Sequence, residues 1–161
     1  MREINASQIT ETVALLCKEA NYDLPEDVYS AIAEAANTEE SSLGKQVLGQ
    51  LCRNADIAWK NRVPICQDCG VTLVYLEIGQ DVHVTGVNID DAVQKGVKKG
   101  YDEGYLRKSM VAKPFSERKN TGDNTPAVIK YEIVPGDKLK ITVMPKGAGS
   151  ENMSRLFMLT P

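Results

Sequence analysis

The sequence predicts an α+β fold in which N-terminal helices pack on a mixed or antiparallel sheet. Three observations carry that expectation. Apolar residues recur at helical spacing through the first sixty positions, residues 71–78 form an almost continuous β-branched and apolar run, and two more extended runs flank Pro135-Gly136-Asp137-Lys138. The period changes near Arg62-Val63-Pro64, which divides a helical segment, 1–60, from an α+β segment, 61–161. With 161 residues, the expectation is a single domain, 1–161, with its own core.

In order along the chain, Ile9, Val13, Leu16 and Ala20 define a first helix. Pro25 followed by Glu26 and Asp27 suits the first turn of a second, which runs to Ala36. Ser41 or Ser42 caps a third, with Val47, Leu51, Ala55, Ala58 and Trp59 as its apolar face. Residues 71–78 read as a buried strand. The polar break Gly79-Gln80-Asp81 and the extended stretch 82–85 suggest that this strand turns back as a hairpin. A helix starts between Asn88 and Asp90 and carries Gly96, Gly100 and Gly104 on one stripe. Glycine there costs helix propensity, so the stripe is expected to let another backbone come close. The runs 128–134 and 139–143, joined by Pro135-Gly136-Asp137-Lys138, read as an antiparallel hairpin.

Composition narrows the function. Net charge is −3 with both signs intermixed, so no basic field marks a nucleic-acid partner. The N-terminus lacks the apolar core of a signal peptide, and no apolar run approaches the roughly 20 residues that span a bilayer. A soluble cytoplasmic protein with no membrane association is expected. Four cysteines are too few and too irregular for a disulfide framework and point to metal or redox chemistry. Cys17 and Cys52, within helical patterns, are expected as buried core thiols.

Cys66-Gln67-Asp68-Cys69 is a C-x-x-C with several readings. A thioredoxin-like pair follows a strand and opens a helix, whereas here a strand follows. Structural zinc needs four ligands, usually from two such pairs, and the chain has one. Cys66 as one thiolate of an iron–sulfur cluster with ligands from elsewhere, and a loop with two reduced thiols, both stay open on spacing alone. Asn120-Thr121-Gly122-Asp123-Asn124-Thr125-Pro126 reads as a polar turn before a strand. Lys146-Gly147-Ala148-Gly149-Ser150-Glu151-Asn152 is either a glycine-rich turn or an anion cradle beside Lys146. Arg107 offers a planar fork that matches a carboxylate, or is a solvated cation at a helix end.

Together Pro64-Ile65-Cys66-Gln67-Asp68, Leu106-Arg107-Lys108-Ser109, the 120–129 and 131–137 segments and residues 146–153 resemble the class I fumarase and L-tartrate dehydratase family, in its N-terminal or alpha portion. They stand in the family's order over most of residues 60–160. The resemblance implies a hydro-lyase that adds or removes water at a dicarboxylic acid. It also implies a [4Fe–4S] cluster held by three cysteines, with an open iron that acts as a Lewis acid. Carried over by motif, Cys66 is the first cluster ligand, and Gln67, Asp68, Arg107 and the Gly149 backbone contact substrate or its water.

This sequence departs from the family where Cys69 stands for the usual Thr, Lys130 for the usual His, and Ala148 for a Gly. Cys69 is thereby a competitor for iron or a site of oxidation. Because family members continue into further cysteine ligands, the chain is expected to be part of a longer alpha subunit and inactive alone. Its partners would then be the C-terminal or beta part of the enzyme, a dicarboxylic acid, and further copies in a homo-oligomer. The rival reading is a non-enzymatic assembly, metal-binding or thiol-binding module that uses Cys66 and Cys69.

Overall fold

The computed structural model describes residues 1–147, 149, 155 and 157–159. It shows an α+β architecture of four helices and seven strands among the described residues. Asn5 closes the short strand β1 (Arg2–Asn5) and caps α1 (Ala6–Tyr22), accepting from Ser7 N–H while Gln8 Oε1 accepts from Asn5 N–H. Helix α2 (Glu26–Thr38) begins directly after Pro25, and α3 (Ser42–Asn61) is capped by the Ser41 hydroxyl, which accepts from Gly44 N–H. Arg62 stops α3 in the left-handed region at φ 52°. The Asn88 side chain caps α4 (Ile89–Glu103).

The core lies where α1 and α4 cross and rest on a three-stranded sheet. Ile9, Val13 and Cys17 of α1 meet Val93, Val97 and Tyr101 of α4, with Val74 and Leu76 of β2 (Val71–Gly79) beneath them. The glycine stripe makes this crossing close. A Cβ on Gly96 would sit 2.7 Å from Thr10 O, and one on Gly100 2.8 Å from Ala14 O. The expected role of the stripe is thus the observed one for Gly96 and Gly100. Thr10 adds a polar link across the crossing, donating from its hydroxyl to Ala92 O at 2.9 Å.

Both expected hairpins are corrected. Strand β3 (Val82–Thr85) does not fold back on β2; it pairs in parallel with β1, an element that four residues of mixed polarity did not announce. Strands β6 (Val128–Val134) and β7 (Leu139–Lys146) do not pair with each other. Strand β2 lies between them, parallel to β6 and antiparallel to β7. The 135–138 turn therefore bridges the end of β2. Gly79 N–H donates to Lys138 O at 2.8 Å and Asp81 N–H to Gly136 O at 3.0 Å, so the turn takes up donors that β2 would otherwise leave exposed. A Cβ on Gly79 would lie 2.3 Å from Gly136 O, so only glycine fits under this crossing.

After β1 the first sixty residues are helical as expected, but of these helices only α1 packs on the three-stranded sheet among the described residues. Helix α2 buries no residue, and of the apolar face expected for α3 only Ala55 and Ala58 are buried. Val47, Leu51 and Trp59 are exposed. Cys17 is buried, whereas Cys52 is only half-buried.

Candidate functional site

The segment between α3 and β2 is fixed at both ends before any chemistry is considered. Ile65 N–H donates to Asn21 O at 2.9 Å, and Asn54 Nδ2 donates to Ile65 O at 2.7 Å. On the far side Gly70 adopts φ 63° and passes so close to β7 that a Cβ would lie 2.3 Å from Lys146 O. The loop bearing Cys66, Gln67, Asp68 and Cys69 is thus held between two helices and an edge strand.

Within it the two cysteines are not alike. Cys66 is exposed, and its sulfur accepts from Asp68 N–H at 3.4 Å and donates to Gln67 Oε1 at 3.4 Å. Cys69 is buried. Its sulfur accepts from Arg107 N–H at 3.2 Å and donates to Cys66 O at 3.8 Å, and its carbonyl accepts from the Tyr101 hydroxyl at 2.6 Å. Burial pushes the Cys69 thiol above its ordinary pKa, with the Arg107 N–H pulling the other way. Burial also raises Tyr101, to about 12. Cys69 is therefore a protonated core thiol that joins the 66–70 loop to the segment after α4, while Cys66 faces outward. A two-thiol metal or redox site would require Cys69 to leave its place in the core.

The segment after α4 is held by Asn124. This side chain is wholly buried (0% exposed), and the residue adopts φ 62°, in the left-handed region. Its Oδ1 accepts from Ser109 N–H at 2.7 Å and from Met110 N–H at 3.2 Å, and its Nδ2 donates to Gly70 O at 3.1 Å. One amide thereby ties the 66–70 loop to the 107–110 segment, and every bond uses backbone on the far side. Around it the 120–126 run is local turn chemistry: Asn120 Nδ2 donates to Lys108 O at 2.8 Å, and Asp123 Oδ1 accepts from Thr125 N–H at 3.0 Å. Partial burial works to raise Asp123, but the Thr125 hydroxyl and N–H, with the Lys98 charge and the Thr121 hydroxyl, together hold the carboxyl below its ordinary pKa.

The result is an open concavity of about 290 Å³ lined by Asp68, Gly70, Val71, Arg107, Ser109, Met110 and Lys146. Arg107 and Lys146 supply positive charge. Asp68 sits half-buried with Oδ1 accepting from Gly70 N–H at 3.0 Å and from the Ser109 hydroxyl at 3.4 Å. The Arg107 guanidinium reaches back to Gln67 O at 3.5 Å. Such a wall can bind a carboxylate at the cations and a hydroxyl or water at Asp68 and Ser109.

Of the residues read from sequence, Asp68 and Arg107 meet in this concavity, and Cys66 and Gln67 lie on the loop that borders it. Gly149 is exposed and is not among the residues that line the concavity. Its neighbours Ala148 and 150–154, which carry the rest of that motif, lie outside the described residues. Lys130 is exposed on β6. Sequence reasoning missed Ser109 and the role of Asn124. The only signal for the latter was an Asn in a polar turn, a residue type that tolerates positive φ. Among the described residues no three His, Cys, Asp or Glu side chains converge as a metal site. Among the described residues the donor set fits one thiolate ligand, Cys66, and no more. No helix among the described residues is long and apolar enough to cross a membrane.

The family model described as "Fumarate hydratase (Fumerase)" matches residues 10–161. A protein of Methanocaldococcus jannaschii, provisionally named L(+)-tartrate dehydratase subunit alpha, is 39% identical over 158 residues, which is 96% of this chain and 55% of that protein. The anaerobic class I fumarate hydratase of Escherichia coli K12 is 35% identical over 156 residues, 93% of this chain and 28% of the enzyme. The aerobic class I enzyme of the same strain is 36% identical over 157 residues, again 28% of its length. The chain thus spans about half of the first relative and little more than a quarter of the other two. It belongs to the class I fumarate hydratase family, and the part it covers includes the wall of Asp68, Arg107 and Lys146 with Cys66 at its border.

Proposed function

We propose that this chain provides the carboxylate-binding wall and one thiolate ligand of an iron–sulfur hydro-lyase, which adds or removes water at a dicarboxylic acid of the fumarate, malate or tartrate type. The observation that carries the reading is the juxtaposition of an exposed Cys66 with a cationic concavity in which Asp68, the acid among the described lining residues, is already oriented by Gly70 and Ser109. A [4Fe–4S] cluster, when bound, supplies Lewis acidity toward the departing hydroxyl. Cys66 would hold that group by its thiolate, and the remaining ligands would come from outside the described residues. Arg107 grips a substrate carboxylate bidentately, and Lys146 balances the second negative charge. Asp68 accepts a hydrogen bond from the substrate hydroxyl or the water that replaces it, and the Ser109 hydroxyl keeps that carboxylate turned toward the concavity. Gln67 closes the rim. Removal of the carbon-bound proton is assigned to no side chain of this chain.

Anaerobic reconstitution with iron and sulfide, performed on the enzyme that contains this chain with its remaining part, tests the reading. The expected result is visible cluster absorbance and turnover of fumarate or tartrate, both lost in Cys66→Ser. Arg107→Gln should keep the absorbance and lower kcat/KM by about two orders of magnitude, as expected when a charged hydrogen bond is lost. The isolated chain should show no turnover. Cluster and turnover surviving in Cys66→Ser would sink the ligand assignment.

A further inference from the structure

Residues 110–121 rise from the wall of the concavity as a short arm. Strands β4 (Val111–Ala112) and β5 (Lys119–Asn120) pair antiparallel, and Thr121 N–H donates to Met110 O at 3.0 Å to close the base. Asn124 and Asn120 fasten that base to the site through the backbone of Ser109, Met110 and Lys108. At the tip, Pro114 fixes the second position of a turn in which Ser116 N–H donates to Lys113 O at 3.0 Å. Lys113 and Arg118, at φ 50° and 49°, take the left-handed region on either side of it. The arm is thus a built element, held in part by backbone that L side chains resist.

Among the described residues nothing covers what this shape displays. Phe115 is fully exposed at the tip, and Tyr105, two residues before Arg107, is 91% exposed. Residues 105–120 carry five bases, Arg107, Lys108, Lys113, Arg118 and Lys119, against one acid, Glu117, in a chain whose net charge is −3. Lys108 pairs with Asp102 and Lys113 with Glu117, whereas Arg118 and Lys119 make no ion pair among the described residues. An aromatic tip ringed by bases has the anatomy of an interface anchor with its polar rim. Its complement is an apolar pocket edged by acids.

Position says whose pocket that is. The hydro-lyase reading above, on which this rests, needs cluster ligands and a proton-abstracting group that the described residues do not hold. The chain that supplies them has to close on the open side of the concavity. Ser109 and Met110 line that concavity and are also the root of the arm. Five residues from Met110 to Phe115 reach at most roughly 17 Å, so a chain seated against the wall meets the arm as well. A second copy meeting it arm to arm would set base against base.

We infer that the 110–121 arm is the docking element for a second subunit of the enzyme, with Phe115 seated in an apolar pocket of that subunit and Arg118 and Lys119 against acids at the pocket's rim. Seated there, the arm fixes how the subunit sits over Asp68, Arg107 and Lys146.

Sedimentation velocity of the full-length alpha chain with its separately produced second subunit, both handled anaerobically, tests this. The wild-type pair is expected to associate, and more weakly as salt rises. Phe115→Ser should weaken association at least about tenfold, with circular dichroism and thiol labelling of Cys66 as in the wild type. Arg118→Glu/Lys119→Glu should do the same at low ionic strength and less at high. Cluster absorbance and turnover of fumarate or tartrate are read on the same samples. If the wild-type pair associates without cluster or turnover while Phe115→Ser does not associate, the docking arm stands and the hydro-lyase reading falls. If the wild-type pair carries a cluster and turns over, and natively folded Phe115→Ser or the charge variant binds as tightly at low salt, the reading stands and the docking arm is overturned. A wild-type pair that fails to associate, arm variants that alter only self-association, or a full-length alpha chain that turns over with no second subunit bound overturn it as well.

Discussion

The chain contains two helix pairs that treat apolar surface in opposite ways. Helices α1 and α4 approach until side chains at Gly96 and Gly100 would collide with the facing backbone, and Val13, Cys17, Val93 and Val97 are lost to solvent between them. Helices α2 and α3 pack through smaller contacts and leave Val28, Leu43, Val47 and Leu51 in water. Hydrophobic periodicity is equally clear in both pairs. What differs is whether a second layer exists among the described residues: α1 and α4 have the β2 sheet beneath them, and α2 and α3 have none there. Amphipathicity declares that a face must be covered, without saying that the same chain covers it.

The contrast can be broken most forcefully at the glycines. Gly100→Leu should cost about 3 kcal/mol or more, or prevent folding, because the new side chain meets Ala14 O and the Cys17 Cβ. Denaturant unfolding measures it, and a near-neutral result would mean that the crossing is looser than described. Next comes Asn124→Ala, which strands two backbone donors and one acceptor around a buried position. The expected loss is about 2–3 kcal/mol by the same measurement, with faster proteolysis at 107–110.

Alkaline titration separates the two pairs more gently. Burial raises the Cys17 thiol from 9.0 to about 12, so the folded chain keeps a proton that the unfolded chain releases. A raised folded pKa gives stability that is full below pH 9 and declines as pH climbs toward 12. Cys17→Ala should make that decline shallower, with the raised Tyr101 hydroxyl keeping the remainder of it. In native buffer at neutral pH, a thiol reagent should label the exposed Cys66 first and reach Cys69 and Cys17 only on unfolding. The smallest effect belongs to α2 and α3. Val47→Ser or Leu51→Ser should stay within about 0.5 kcal/mol of wild type. A larger loss would show that the face is covered from within.

Much of this architecture was legible in the sequence because local chemistry dictates it: Ser41 caps α3, α4 starts at Asn88, Arg62-Val63-Pro64 ends the helical segment, and β-branched residues fill β2. What was illegible is non-local. Nothing within 128–146 tells that a strand from fifty residues earlier lies between its two runs, and nothing near Val82 tells that its partner is β1. The site follows the same division. Asp68 and Arg107 were identifiable by residue type and resemblance, and they do meet. The inequality of Cys66 and Cys69 was hidden, since it depends on Arg107 N–H and Tyr101 closing over only one of them. Asn124 was hidden for the same reason, because its three partners lie 14, 15 and 54 residues away.

The placement of β2 between β6 and β7 has a consequence in time as well as in space. A turn such as 135–138 closes its flanking strands into a hairpin within microseconds, whereas bringing β2 to β6 requires closing a loop of about fifty residues. The pairing that forms most readily is therefore one the native sheet does not contain. During synthesis the order of emergence offers relief, because β2 leaves the ribosome before either neighbour and can be waiting on α1 and α4 when they arrive. Refolding from denaturant loses that head start. It has to reopen whatever hairpin forms before the central strand, and the cysteine loop attached to its leading end, can enter.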